Sequence, residues 1–204
     1  VCKYCWHLGT TGDMVVNKDP LSGENDVQFS YGRNIRWHSA RYIVNMVKTL
    51  IDKYQVDFAS FIDENLMTMD QASGRTWMFE LSEMWIKEGL QPTCRRDNVP
   101  HDENCRGIHW SGTSHASLAR KETLEAMYRA GCSHLVYGIE SFDPTILKKL
   151  GKGSNQKNNI ESLKICMDTG IIPVPNIIIG FPEESFESVR TTIECLIKLG
   201  IHAK

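Results

Sequence analysis

The sequence has no excess of charge of either sign. Its 204 residues carry 23 Lys and Arg against 25 Asp and Glu, a formal net charge of −2. Domains that bind nucleic acid usually show a basic excess, and none is present. No apolar run approaches the roughly 18 residues needed to span a bilayer, and there is no signal-peptide pattern. Low-complexity segments and obvious linkers are also lacking, which argues for one domain. There are seven cysteines, an odd number, in a chain too long for a disulfide-stapled miniprotein. A reduced, cytosolic setting fits better, and there a close cysteine pair suggests metal binding or redox chemistry. The chain opens on Val1 rather than Met and closes at Lys204 just after a helix-like segment. Both ends read as cuts, with further domains expected beyond them.

What is present is a repeated unit. With 41% hydrophobic residues the chain can bury a sizeable core. From Ser39 the apolar positions Ile43, Val44, Val47, Leu50, Ile51 and Tyr54 trace one helical face. Val56–Ile62 (VDFASFI) follows as a strand rich in β-branched and aromatic residues. Thr76–Glu88 predicts a helix stopped by Gly89, and Leu124, Met127 and Tyr128 mark one stopped by Gly131. His134–Ile139 predicts a strand. Ile160, Leu163, Cys166 and Met167 then mark a helix ended by Gly170, and Val174–Ile179 (VPNIII) another strand. Phe186, Val189, Ile193, Leu196 and Ile197 mark a last helix ended by Gly200. Glycine just past a helix permits the left-handed turn into the next strand. Repeated helix–Gly–strand units imply parallel α/β architecture, with strands such as VDFASFI and VPNIII buried on both faces. Periodicity does not choose between a doubly wound sheet and a barrel. Gly9–Arg36 and Gln91–Arg106 break the rhythm, the first polar with little periodicity and the second an excursion loop.

Four segments carry chemistry-bearing residues. Cys2 and Cys5 form a C-x-x-C pair, which by itself is half a zinc site, a redox pair or two ordinary cysteines. Asp63 and Glu64 follow the first clear strand, either at a ligand-binding strand end or as acids opening a helix. Glu140 and Ser141 follow HLVYGI, placed to bond a ribose diol or an amine, or else to open the helix after Asp143-Pro144. Gly180 ends VPNIII and lets backbone approach a ligand closely. Taken together, polar residues fall at successive strand ends, on one rim.

These segments closely resemble the radical SAM (S-adenosylmethionine) family, whose core begins with C-x-x-x-C-x-aromatic-C. Cys2-Lys-Tyr-Cys5 matches its last four positions, so the remaining cysteine is expected four residues before Cys2. Asp63-Glu-Asn65 is similar to the family's acidic motif. Tyr137-Gly-Ile-Glu-Ser141 with Leu147-Lys-Lys-Leu-Gly-Lys152, and Ile178-Ile-Gly180 with Phe181-Pro-Glu-Glu184, are similar to its fourth- and fifth-strand regions. Order and spacing agree over about residues 1–200. The resemblance implies an α/β partial TIM barrel occupying 1–204 as a core domain truncated at both ends. It implies a 4Fe–4S cluster held by Cys2, Cys5 and the missing cysteine. One iron is left open for S-adenosylmethionine, whose reductive cleavage yields a 5′-deoxyadenosyl radical. Tyr4 and the backbone of Ile178 and Gly180 would then lie near the adenine. Asp63 and Glu64 would lie near the methionine amine, and Glu140 with Ser141 would face the ribose. An electron donor such as flavodoxin or ferredoxin is implied as partner, with a small-molecule substrate.

Tyr31-Gly-Arg-Asn-Ile-Arg36, Ser39 and Phe61-Ile-Asp-Glu64 further resemble the cobalamin-associated branch. Its members carry a cobalamin-binding domain before the cysteine motif, and many methylate or cyclise their substrates. That branch often has an arginine and then an acid after the third strand. Here Ser114-His-Ala-Ser-Leu118 places His115 and Ser117 there instead. A rival from another class is a non-catalytic iron–sulfur or zinc-binding α/β protein. Cys132, Cys166 and Cys195 read as core residues. Cys94 and Cys105 share a polar loop with His101 and lie near His109, a conceivable zinc or second-cluster site. Without a second close pair, their spacing favours a loop that holds no metal. Arg33, Arg36 and Arg41 read as solvated rather than ligand-binding.

Overall fold

The structure is a computed structural model describing residues 13–18, 25–30, 37–63, 65–182 and 184–201. β1 (Asp13–Lys18) and β2 (Asn25–Ser30) form an antiparallel hairpin registered from Asp13 against Ser30 to Lys18 against Asn25. This hairpin falls in the stretch that shows little periodicity, because each six-residue strand has polar ends and only a short apolar centre.

The main sheet has four parallel strands in sequence order, β3 (Phe58–Ser60), β4 (His109–Ser114), β5 (Cys132–Glu140) and β6 (Ile172–Ile177). Parallel neighbours need a crossover, which helices supply here. α1 (Ala40–Tyr54) precedes β3, while α2 (Met67–Ala72), α3 (Trp77–Lys87) and α4 (Thr93–Arg96) lie between β3 and β4. A short 3-10 turn, Ala116–Leu118, and α5 (Lys121–Arg129) lead to β5. α6 (Pro144–Leu150) and α7 (Gln156–Asp168) lead to β6, and α8 (Phe186–Lys198) follows it.

Local chemistry explains the boundaries. Ser39 caps α1, its hydroxyl accepting from Tyr42 N–H at 3.2 Å, and Ala40, Ile43, Val44 and Val47 form the buried stripe. Asp143 caps α6 by accepting from Thr145 and Ile146 N–H, with Pro144 opening the helix. Ser185 and Ser188 form a reciprocal capping box at α8. Gly89, Gly131, Gly170 and Gly200 all have positive φ behind their helices, as the sequence pattern requires. α1 ends instead on Gln55, at φ 54.

The core lies between sheet and helices. Trp85, Trp110, Tyr137 and Phe142 are fully buried, and Trp110 packs against Trp85 and edge-on to Phe61. Each such aromatic contributes about 4–6 kcal/mol of gross burial energy before entropy is counted. The strands buried deepest are β4 and β5. β3 and β6 border the sheet among the described residues, leaving Phe58 and Ile172 exposed. Burial on both faces, expected of VDFASFI and VPNIII, therefore belongs to the central strands. HWSGTS in β4 has no apolar run to announce it, yet it is a central strand.

Candidate functional site

The four strands of the main sheet all point the same way, so their carboxyl ends form one rim. After β3 the chain is stitched to the end of β4. Phe61 N–H donates to Ser111 O at 2.9 Å, and Leu66 N–H to Thr113 O at 3.0 Å. The Thr113 hydroxyl donates to the Asp63 carbonyl, and the Asn65 side-chain oxygen accepts from His115 N–H at 3.3 Å. This leaves the Asp63 side chain exposed at the rim. Glu64 lies outside the described residues.

After β4 comes His115. Its Nδ1 accepts from Ser117 N–H at 3.2 Å and lies 2.8 Å from the Ser117 hydroxyl, which assigns the ring proton to Nε2. Burial pushes the His115 pKa below its ordinary value, and the Lys152 charge pushes it further, against smaller opposing pulls from a hydrogen bond to the Lys152 backbone and from the Glu140 charge. The ring is thus neutral at pH 7.

The end of β5 is the most unusual point. The β5–β6 register shifts between Gly138 and Glu140, and Glu140 adopts φ 66, rare for a side-chain-bearing residue. Its carboxylate pairs with Lys152 at 2.6 Å, with the two side chains only 10% and 9% exposed. Lys152 Nζ also donates to Gly138 O. A Cβ at position 138 would collide with Lys152 Nζ and sit 2.7 Å from Glu140 Oε1. Glycine there leaves room for the ion pair, which a side chain would push aside. The left-handed backbone costs about 1–3 kcal/mol. It is held by the ion pair and by Ile178 N–H, which donates to Glu140 O at 2.9 Å.

Ser141 is buried, and its hydroxyl is taken up by Thr192 at 3.2 Å and by Asp143 N–H at 3.0 Å. Beyond β6, Ile178 is exposed, and Gly180 at φ 104 donates its N–H to Glu184. Ile177, Ile178, Val189, Thr192 and Ile193 help line an apolar recess of about 200 Å3 between this strand end and α8.

The structure thus brings Asp63, Glu140, Ile178 and Gly180 to strand ends on one rim. It adds Lys152, His115 and Asn65, which the sequence had not singled out as a group. Lys152 stands in the Leu147–Lys152 run noted above, but nothing in one sequence says that its ammonium folds back onto Glu140. Cys2, Tyr4 and Cys5 lie outside the described residues, as do Arg33 and Arg36. Arg41 pairs instead with Glu88, as does Lys48.

Residues 1–196 match the radical SAM superfamily. The chain belongs to that superfamily. An uncharacterized methyltransferase of Pyrococcus horikoshii is 27% identical over 171 residues, which cover 84% of this chain and 33% of the relative. The bacteriochlorophyllide d C-12(1)-methyltransferase of Chlorobaculum tepidum is 30% identical over 173 residues, 82% of this chain and 33% of that one. The chain therefore spans about a third of the length of these curated relatives. Among solved structures, the cobalamin-dependent S-adenosylmethionine radical enzyme OxsB superposes with TM-score 0.61 at 15% identity, over 78% of this chain and 22% of that one. This likeness concerns the fold, and it resolves the choice left open by periodicity. The radical SAM sheet is a partial barrel, with its ligand rim at the carboxyl ends of the strands. Among the described residues no helix is long and apolar enough to cross a membrane.

Proposed function

We propose that residues 1–204 are the core domain of an enzyme that uses a 4Fe–4S cluster to cleave S-adenosylmethionine reductively. The observation that carries this reading is the arrangement of Asp63, His115, Glu140 and Gly180. They stand at or just beyond the ends of four successive parallel strands in a chain that belongs to the radical SAM superfamily. When bound, the cluster and S-adenosylmethionine supply a 5′-deoxyadenosyl radical. Cys2 and Cys5, with a cysteine four residues upstream, would hold the cluster as thiolates.

The rim chemistry suits a ligand that carries an ammonium, a ribose diol and an adenine. Exposed Asp63, with Glu64, offers carboxylate to the ammonium. The Glu140 carboxylate is fixed by Lys152, so it accepts from a hydroxyl without having to move. Ile178 and Gly180 present backbone and an apolar edge, and Tyr4 an aromatic face, to the adenine. Ser141 acts from beneath, holding the turn that aims Glu140. His115 borders this same space, its ring held by Ser117 on one side and by the Lys152 backbone on the other.

The reaction we propose is methylation of a small organic substrate, with cobalamin held in a domain preceding Cys2. Support comes from the two methyltransferase relatives and from the residues that resemble the cobalamin-associated branch. The setting is cytoplasmic, with a flavodoxin or ferredoxin supplying the electron. The test is to purify the full-length protein without oxygen, reconstitute it with iron and sulfide, add dithionite and S-adenosylmethionine, and assay 5′-deoxyadenosine. The product should form, and should be lost in Cys2→Ala and Cys5→Ala. A cluster without cleavage would point instead to a non-catalytic iron–sulfur protein.

A further inference from the structure

The excursion loop Gln91–Arg106 is built at the opposite end of the sheet from the rim. Its base is closed by three hydrogen bonds. Thr93 N–H donates to Arg106 O at 2.8 Å, Arg106 N–H to the Thr93 hydroxyl at 3.0 Å, and Ile108 N–H to Leu90 O at 2.8 Å, while within the loop Cys105 N–H donates to Asp102 O at 3.1 Å. Gly107 makes the closure possible. Its φ is 98, and a Cβ there would lie 2.5 Å from the Gln91 carbonyl oxygen. The closure brings Cys94, on α4, and Cys105, at the loop's end, beside His109, the first residue of β4.

Four ligand-type side chains converge there. One atom each from Cys94, His101, Cys105 and His109 lies within 4.8 Å of every other. His109 Nε2 is 3.5 Å from Cys94 Sγ and 3.7 Å from Cys105 Sγ. The His101 ring meets that of His109 edge-on, with centroids 4.7 Å apart. A tetrahedral zinc with Zn–S of about 2.3 Å and Zn–N of about 2.0–2.1 Å has S···N edges of about 3.5–3.6 Å. The two sulfur–nitrogen separations therefore have the size of the edges of a single-ion tetrahedron. On its other side His109 Nδ1 is buried with no hydrogen-bond partner among the described residues. The ring's orientation is thus set on the Nε2 side, where both thiols lie.

We propose that Cys94, His101, Cys105 and His109 form a second metal site, a closed Cys2His2 zinc centre that clamps the loop between α3 and β4 onto the amino-terminal end of the sheet. Four protein ligands leave no open position, so the site is structural rather than catalytic. Its location agrees, since the amino-terminal face of a barrel serves stability while the carboxyl-terminal face serves chemistry. The sequence spacing is Cys-x6-His-x3-Cys-x3-His, which lacks the usual close pair. The loop closure, rather than a knuckle of adjacent ligands, brings the two halves together. A Rieske-type 2Fe–2S cluster also takes two Cys and two His, but there the two residue types bind different irons. The short sulfur–nitrogen distances here favour one ion.

The test must separate this site from Cys2 and Cys5, the cluster ligands of the proposed function. The full-length protein carrying Cys2→Ser and Cys5→Ser is purified in reductant without iron–sulfur reconstitution, and its zinc is measured. One zinc per chain is expected, falling to none on adding Cys94→Ser with Cys105→Ser, and unchanged on adding Cys195→Ser. Should the fourfold variant not fold, cobalt substituted into the Cys2→Ser, Cys5→Ser protein decides. Tetrahedral visible absorption with a thiolate-to-metal charge-transfer band supports the site. X-ray absorption of the zinc form should show two sulfurs at about 2.3 Å and two nitrogens at about 2.0–2.1 Å. Folded protein without zinc, zinc retained after loss of both loop cysteines, or a 2Fe–2S spectrum would each overturn the proposal. None of these outcomes depends on whether S-adenosylmethionine is cleaved.

Discussion

Glu140 and Lys152 form a buried ion pair at the end of β5. Removing one partner of a buried ion pair leaves the other charge buried alone, at a cost of about 3–5 kcal/mol. Glu140→Ala should lower unfolding stability by about that much in urea titration. The double substitution Glu140→Gln with Lys152→Met should recover most of it, while S-adenosylmethionine binding stays weak in both. Gly138→Ala should cost about 1–3 kcal/mol through overpacking and weaken the same binding, because its methyl would occupy the space of the ammonium. His115 makes a pH prediction. Its folded pKa lies below the ordinary 6.5, first through burial and then through Lys152. Below about pH 6.5 the unfolded chain gains a proton that the folded chain refuses, so stability falls on acidification until folded His115 titrates too. Thermal midpoints between about pH 7.5 and 5 should show this slope, and His115→Gln should flatten it. At this scale the sequence exposed Glu140 and Gly180, because acids and glycines at strand ends form a pattern. It hid the fold-back of Lys152 onto Glu140, and it showed Cys94, His101, Cys105 and His109 as neighbours in one loop while their spacing spoke against a metal, because both convergences depend on chain reversals that no local period encodes.

Among the elements, α8 is tied to the turn after β5 by the Thr192 hydroxyl. Thr192 accepts from Phe142 N–H at 3.0 Å and donates to Ser188 O, and its oxygen meets that of Ser141. Thr192→Val keeps the shape and strands these buried groups, which should cost about 1–3 kcal/mol. Hydrogen exchange should then quicken in α8 and at the turn that presents Glu140. The helices were the most legible elements, since their apolar stripes and glycine stops are local. α1 shows this, starting at Ser39 as read. β4 was the least legible. It is central because β3 and β5 flank it, and its serines and glycine give no sign of that in HWSGTS. The hairpin β1–β2 was hidden for a related reason, having too few alternating positions in each strand.

For the whole molecule, the two borders of the parallel sheet differ from its middle. Ile172, Ile179, Phe186, Ile193 and Ile197 are exposed along β6 and α8. An apolar surface beside a strand edge, unpaired here among the described residues, invites association. The 204-residue chain alone should self-associate in sedimentation velocity, and Ile193→Glu with Ile197→Lys should reduce this without unfolding the core.

The loop clamp also bears on how such a protein is assayed. Iron added in excess during reconstitution meets two thiols and two imidazoles that accept ferrous iron as well, though less tightly than zinc. Iron per chain would then overstate the cluster content, and the surplus would follow the loop cysteines rather than Cys2 and Cys5. Spectroscopic cluster counts, read beside a zinc determination on the same sample, would keep the two inventories apart.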